Sequence, residues 1–280
     1  MASAASASTG MVYFRDGYPV RLRNIAHGTY LHADKDGRGV SLSSRRSSMK
    51  VAWYAHHYHG DEYNVLLHSV AYGRYLYATE ASAPLGCIGF RVEQRNYDEL
   101  DDEAIRWEPV MCRSGHKIML SRHIEEGDRY GFLRGNGRHR TWNNSVVSVD
   151  DVKNISTDMV QWVVERVRSS ERIPRLPRPR FHLSDLLLSR VVMCTGDGQV
   201  FRANAVSFTF RGRSVYRLKN ELVRQLGIPG IAYDNLVMYV RAGTHGRNIP
   251  LVVNLSRSRQ TIVITFDMPA NGGPRHPDFS

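Results

Sequence analysis

Two stretches of the chain repeat one pattern. Val20 to Ala33 (VRLRNIAHGTYLHA) returns as Val65 to Ala78 (VLLHSVAYGRYLYA), the shared form being V-x-L-x-x-x-A-x-G-x-Y-L-x-A. Such a repeat constrains architecture more than composition can, because each copy is one supersecondary unit that must bury its apolar face against the others. A second period supports it. Trp53, Trp107 and Trp162 are almost evenly spaced, flanked two positions away by Val51 and Ala55, Ile105 and Pro109, and Val160 and Val164. On a strand each triplet shares one face, so each tryptophan points where its neighbours point, into a core.

Within a unit the strands can be laid out. Val20 and Leu22 alternate on a first strand, Leu31 and Ala33 on a second, and Val40 and Leu42 on a third after the turn signal Asp36-Gly37-Arg38-Gly39; Trp53 closes the fourth. The second unit repeats this with Val65/Leu67, Leu76/Ala78, Phe90/Val92 and Trp107. A degenerate third has Ile118/Leu120, Phe132 to Gly135, Val147/Val149 and Trp162, with a longer loop at Glu125 to Asp128. Three four-stranded units in about one domain's length predict a closed all-β barrel with threefold pseudosymmetry, a β-trefoil. An ordinary sandwich and an incomplete propeller are the alternatives, and three units are few for a propeller.

The period then changes. Arg172-Ile-Pro174-Arg-Leu-Pro177-Arg-Pro179-Arg180 resists helix and sheet, and its arginines repel one another, so it predicts an extended, semi-rigid linker. Beyond it, Arg190 to Cys194 and Ser207 to Phe210 read as strands. Val215, Leu218, Leu222 and Leu226 form a helical stripe between an N-cap at Ser214 and a stop at Gly227 and Pro229. Leu236 to Val240, Leu251 to Val253 and Thr261 to Phe266 supply three more strands. The order ββαβββ predicts a small α+β domain of the β-grasp, ubiquitin-like kind. The expected organisation is a disordered tail over 1–10, a trefoil over 11–167, a basic proline-rich linker over 168–186, a ubiquitin-like domain over 187–268 and a second disordered tail over 269–280.

Charge is divided unevenly. Acidic and basic residues balance through Glu165, so the whole formal net charge of +11 lies beyond it. The linker residues Arg172, Arg175, Arg178 and Arg180 are therefore the candidate partner-binding residues. Arg190, Arg202, Arg211, Arg213, Arg217, Arg224, Arg257 and Arg259 read as a solvated basic surface around them. Cys87, Cys112 and Cys194 are few and far apart, without C-x-x-C spacing, which points to reduced thiols and a cytoplasmic or nuclear setting. No apolar run approaches bilayer length, and the Ala/Ser-rich start lacks the basic and apolar regions of a secretory signal.

The candidate sites read as structural. His56-His57-Tyr58-His59 would place His57 and His59 on one face of a strand, but no carboxylate or thiol stands at a helpful spacing, so a polar strand end is expected. The acidic run Asp98 to Glu103 lacks a glycine-centred ligand spacing and reads as a solvated loop. Gly135-Asn136-Gly137 and Trp142-Asn143-Asn144 are turn-rich without a phosphate-loop pattern, and Gly272-Gly273 reads as part of a free terminus. No serine sits in a nucleophile elbow. A sugar-binding trefoil would carry Q-x-W, whereas Gln161 lies directly beside Trp162.

The repeated unit, followed by its tryptophan strand, resembles the repeat of fascin-type, actin-crosslinking β-trefoils. More closely, the whole chain resembles a plant family known as domain of unknown function 569, through His27 to Asp34, Asp36 to Leu42, Leu67 to Leu76, Trp142 to Asn144 and Met159 to Glu165. Phe210 to Leu222 and Pro250 to Val253 are similar to the ubiquitin-like domain attached to that family. The resemblance runs from about Val20 to Phe266 and implies a fold and a plant origin, not a mechanism. The expectation is a non-enzymatic binding or scaffold protein, without cofactor or metal, whose two domains engage protein partners. Beside it stand actin-filament binding by fascin-like analogy, and salt-sensitive nucleic-acid binding through the linker and C-terminal domain.

Overall fold

A computed structural model describes residues 10–58, 61–84, 87, 89–98, 103–113, 115–124, 129–137, 147–150, 158–170, 175–179, 185, 187–196, 206–227, 236–267 and 276–277. The alternating apolar residues of the three repeats form twelve strands. The first unit holds β1 (Pro19–Asn24), β2 (Tyr30–Ala33), β3 (Val40–Ser43) and β4 (Trp53–His57). The second holds β5 (Val65–Ser69), β6 (Tyr75–Ser82), β7 (Phe90–Arg95) and β8 (Arg106–Met111), and the third β9 (Ile118–Ile124), β10 (Arg129–Gly135), β11 (Val147–Asp150) and β12 (Trp162–Arg166). Antiparallel pairs β1–β4, β4–β5, β5–β8, β8–β9, β9–β12 and β12–β1 close a ring of six strands. The other six form the hairpins β2–β3, β6–β7 and β10–β11, with β11 pairing β7 and Gly39 bridging to Glu93. Six barrel strands and three hairpins are the β-trefoil that the repeats predict.

The tryptophans show why the repeat is architectural. Trp53, Trp107 and Trp162 have no exposure, nor do Leu31, Leu76 and Leu133. Each indole N–H donates to the carbonyl of its unit's leucine, Leu31 at 3.1 Å, Leu76 at 3.1 Å and Leu133 at 2.9 Å. A buried indole N–H needs an acceptor. The repeat supplies the same one three times, including in the worn third copy.

The second domain contains β14 (Ser189–Gly196), β15 (Val206–Arg211), α1 (Val215–Leu226), β16 (Val237–Arg241), β17 (Asn248–Pro250) and β18 (Ile262–Asp267). The sheet order is β15-β14-β18-β16-β17, with β14 and β18 parallel, the β-grasp arrangement. The Ser214 hydroxyl accepts the Arg217 N–H at 3.3 Å, and Gly227 ends the helix in the left-handed region. Val215, Leu218 and Leu222 are buried against the sheet. One strand lies earlier than its apolar run suggests: β17 is Asn248–Pro250, not Leu251 to Val253. Leu251 and Val252 are buried as core residues beyond the ladder, and apolarity reports burial rather than pairing.

The connection is also more engaged than a stiff spacer. β13 (Ser169–Ser170) pairs antiparallel with β19 (His276–Pro277), so two residues of the expected C-terminal tail return to the start of the linker. Leu176, between Pro174 and Pro177, packs against the ubiquitin-like core. Among the described residues, no helix is long and apolar enough to cross a membrane.

Candidate functional site

The second domain covers the outside of the barrel at its first two units. Strand parity puts Trp53, Ala55, Val65 and Leu67 inside the barrel and turns Tyr54, His56, Leu66 and His68 outward. All four outward side chains are nevertheless buried. Ala52, Tyr54 and Val70 share one apolar cluster with Val240, Ile249 and Leu251 of the second domain. An aromatic series leads across the junction. His68 stacks on Tyr75 at 4.9 Å, Tyr75 meets Tyr97 edge-on at 5.5 Å, and Tyr97 meets His245 of the second domain at 5.5 Å. The Tyr75 hydroxyl accepts the Arg247 N–H at 3.2 Å and lies 3.3 Å from His56 Nδ1. Burial pushes that phenol up to about 12.

Polar ties complete the junction. Arg247 donates to both carboxylate oxygens of Asp16 at 3.0 and 3.1 Å, and Asp98 accepts the Thr244 N–H at 3.0 Å. Burial would raise the Asp16 carboxyl; the His57 N–H and the Arg247 guanidinium outweigh it and hold it below its usual value. Gly73 and Gly243, at φ of 69° and 79°, mark two close approaches. A Cβ on Gly73 would stand 2.8 Å from Val240 Cγ1, and one on Gly243 2.5 Å from the Tyr97 carbonyl oxygen.

Two hollows open along this junction. One of about 650 Å³ is lined by Arg38, Arg74, Glu93, Arg95, Asp98 and Gln260. In it the buried Glu93 carboxylate is paired with Arg38 at 2.9 Å, Arg95 at 3.2 Å and Arg91 at 3.9 Å. Glu93 is the counter-charge that these three arginines share. The other hollow, of about 450 Å³, is lined by Arg74, Arg190, Tyr72, Val240, Thr261 and Ile262, among others. Arg190 is expected in the solvated basic surface, yet it is 3% exposed. It stands in phase with Val192 and Cys194 on β14, opposite Phe210 of β15, and so faces the apolar side of the sheet. A charged residue on the apolar parity of a strand is the signal that could have found it.

The other candidates fall as follows. Arg175 and Arg178 are exposed on the linker; Arg172 and Arg180 lie outside the described residues. His57 bonds the Phe14 carbonyl at 2.7 Å, His56 packs on His68, and His59 lies outside the described residues. Among the described residues, no group of three or more His, Cys, Asp or Glu side chains is placed to hold a metal. Of the acidic run, Asp98 ties the junction, and residues 99–102 are not described. The Gly135 carbonyl lies 3.1 Å from His27 Nε2. Trp142 to Asn144, Glu125 to Asp128 and Gly272-Gly273 lie outside the described residues. Burial raises all three thiols, Cys194 up to about 12, which leaves them poor nucleophiles.

The outer face of the ubiquitin-like sheet is unlike the junction. Val191 and Met193 of β14 are 42% and 44% exposed, and Val263, beside Met193 in parallel register, is 39% exposed. Thr209 and Ser207 of β15 stand opposite Val191 and Met193.

A search of curated proteins returned no match. Among solved structures, the chain is similar to a ricin B-like lectin from Macrolepiota procera in complex with lactose. That likeness is at 16% identity over 54% of this chain and 97% of that one, with a TM-score of 0.42. It is also similar to the SDF2-like protein from Arabidopsis thaliana, at 13% identity over 54% and 93% with a TM-score of 0.44. A third likeness is to ThreeFoil, a designed protein of threefold symmetry, at 18% identity over 52% and 97% with a TM-score of 0.41. The family model for a β-trefoil domain of unknown function, DUF569, matches residues 11–164, and that of its associated ubiquitin-like domain matches residues 190–266. With the twelve-stranded trefoil, the β-grasp sheet and these two matches together, the chain belongs to the DUF569 family of β-trefoil proteins and carries that family's associated ubiquitin-like domain.

Proposed function

We propose that the protein is a non-enzymatic binding protein, a scaffold whose ubiquitin-like domain docks a protein partner through its outer sheet face. The observation that carries this reading is the exposed apolar strip of Val191, Met193 and Val263. Side chains on adjacent strands at this exposure form one contiguous strip of roughly 200 Å², smaller than the patches that by themselves mark interaction sites. Covering what remains exposed on the three is worth at most roughly 5 kcal/mol, taking about 25 cal/mol per Å² of apolar surface. The strip is therefore one anchor of an interface that needs polar contacts around it. Thr209, Ser207 and the exposed Arg211 stand along its β15 side to supply them. The trefoil's part is to hold the ubiquitin-like domain at a fixed orientation, which lowers the ordering cost of binding.

A Val191→Asp, Met193→Asp double variant tests this. Both side chains point away from the domain's core, so the variant is expected to keep the wild-type circular dichroism and melting profile. In quantitative capture from source tissue, proteins retained by the wild type and lost by the variant support the reading. An unchanged set of captured proteins refutes it, and so does robust turnover of a defined substrate.

A second reading has its own observation. Arg175 and Arg178 are exposed along the extended linker, which suits contact with the phosphates of a nucleic acid. It predicts low-salt binding in fluorescence anisotropy that Arg175→Ala with Arg178→Ala weakens. Binding indifferent to that change removes it.

A further inference from the structure

The hollow of about 450 Å³ between the domains is within the range of small-ligand pockets. Its distinguishing feature is buried positive charge without negative charge to meet it. Arg190, 3% exposed, donates one bond, from Nη2 to the Ser256 carbonyl at 2.7 Å, and its Nε–H has no acceptor. Arg74 donates to the Gly37 carbonyl at 2.8 Å and to the Gln260 side-chain oxygen. No described carboxylate lies within ion-pair distance of either. The remaining charges on the wall are occupied: Asp98 accepts from Thr244, and Arg241 donates to the Gly246 and Thr244 carbonyls. Asp36, the nearest acidic influence on Arg74, accepts the Arg38 and Gly39 N–H groups.

Burying a guanidinium without a counter-charge is costly, and arginine does not escape by losing its proton near neutrality. Desolvation, with Arg213 and Arg74 nearby, lowers Arg190 to about 10, so it is cationic at pH 7. Neutral carbonyls orient both forks without neutralising them. An anion entering the hollow would complete the set, and guanidinium groups match the oxygens of a phosphate. Tyr72, Val240 and Ile262 give the wall an apolar stretch that suits a carbon skeleton.

We infer that the interdomain hollow is a binding site for a small organic phosphate, held at its phosphate by Arg74 of the trefoil and Arg190 of the ubiquitin-like domain. Because the two arginines come from different domains, the ligand would also clamp the junction. The site is separate from the outer sheet face.

Titration calorimetry on the full chain, in a low-salt buffer free of phosphate, tests this with phenyl phosphate, inorganic phosphate and benzoate. Phenyl phosphate is expected to bind saturably at one site and to raise the melting temperature. Inorganic phosphate and benzoate are expected to bind about tenfold more weakly, each lacking one part of the match. Arg74→Gln and Arg190→Gln are each expected to weaken phenyl phosphate by about tenfold or more, the scale of a charged hydrogen bond. Arg178→Gln and the Val191→Asp, Met193→Asp variant are expected to bind as the wild type does, which separates this inference from the proposed docking face. If Arg190→Gln does not fold, Arg74→Gln decides. Failure of both phosphates to bind saturably, or binding unaltered by Arg74→Gln, overturns the site. Benzoate binding as tightly as phenyl phosphate overturns the phosphate assignment. Equal binding of inorganic phosphate overturns the organic part.

Discussion

His68 offers the sharpest test of how the second domain seats on the barrel. Its ring lies 3.8 Å from that of His56 and stacks on Tyr75, and neither of its nitrogens has a hydrogen-bond partner. Desolvation, then the charges of His56 and Arg247, hold it well below its usual value, so it is neutral in the folded protein. In the unfolded chain it takes up a proton near pH 6.5. The unfolded state therefore binds more protons below that pH, and stability present above it is lost as pH falls. With the folded ring neutral throughout, the loss between pH 7.5 and 5.5 is about 1.4 kcal/mol for one such group. His68→Phe keeps the aromatic stack and removes both unpartnered nitrogens. Urea unfolding, followed by tryptophan fluorescence at pH 7.5, 6.5 and 5.5, should show the variant losing about 1.4 kcal/mol less than the wild type across that interval. Because the two imidazoles touch, the difference belongs to the pair rather than to one ring. Wild type and variant falling in parallel would refute the argument, since His68 would then be protonated, or solvated, in the folded state.

Gly243→Ala should destabilise by about 2 kcal/mol or more, since alanine at positive φ costs about 1–2 kcal/mol and its Cβ would meet the Tyr97 carbonyl oxygen. Gly115→Ala, at φ of 72° with nothing within 4 Å, should show the conformational part alone, and equal losses would refute a tight junction. Replacing Trp53, Trp107 or Trp162 by Phe orphans the carbonyl of Leu31, Leu76 or Leu133 and leaves a void, at about 2–4 kcal/mol each. Thermal melts should rank the three closely, and a much smaller loss at Trp162 would show that the third repeat is not the equivalent of the others.

The barrel was legible because its determinants are local and repeated. Leu22, Leu31, Leu67, Leu76 and the three tryptophans alternate with period two, and their burial follows from parity within each strand. The helix from Val215 to Leu226 was legible for the same reason, with its cap at Ser214 and its stop at Gly227. The strand Asn248–Pro250 was not, because pairing there ends before the apolar run does. Tyr54, His56, Leu66 and His68 stand on the parity opposite the barrel core, and nothing within their own strands marks that face as dry. Arg190 carried a weak signal, its place in phase with Val192 and Cys194, but a charge on that parity fits equally a frayed strand end.

By itself, the sequence determined that three alternating units would close a trefoil and that an amphipathic helix would cover a second, mixed sheet. These outcomes depend on periodicity, and periodicity is written residue by residue. Only the tertiary structure decided which outer face of the barrel is dry, which arginines lose their water and where a hollow remains. Burial at a junction is a property of two surfaces meeting, and neither surface alone encodes the other's shape.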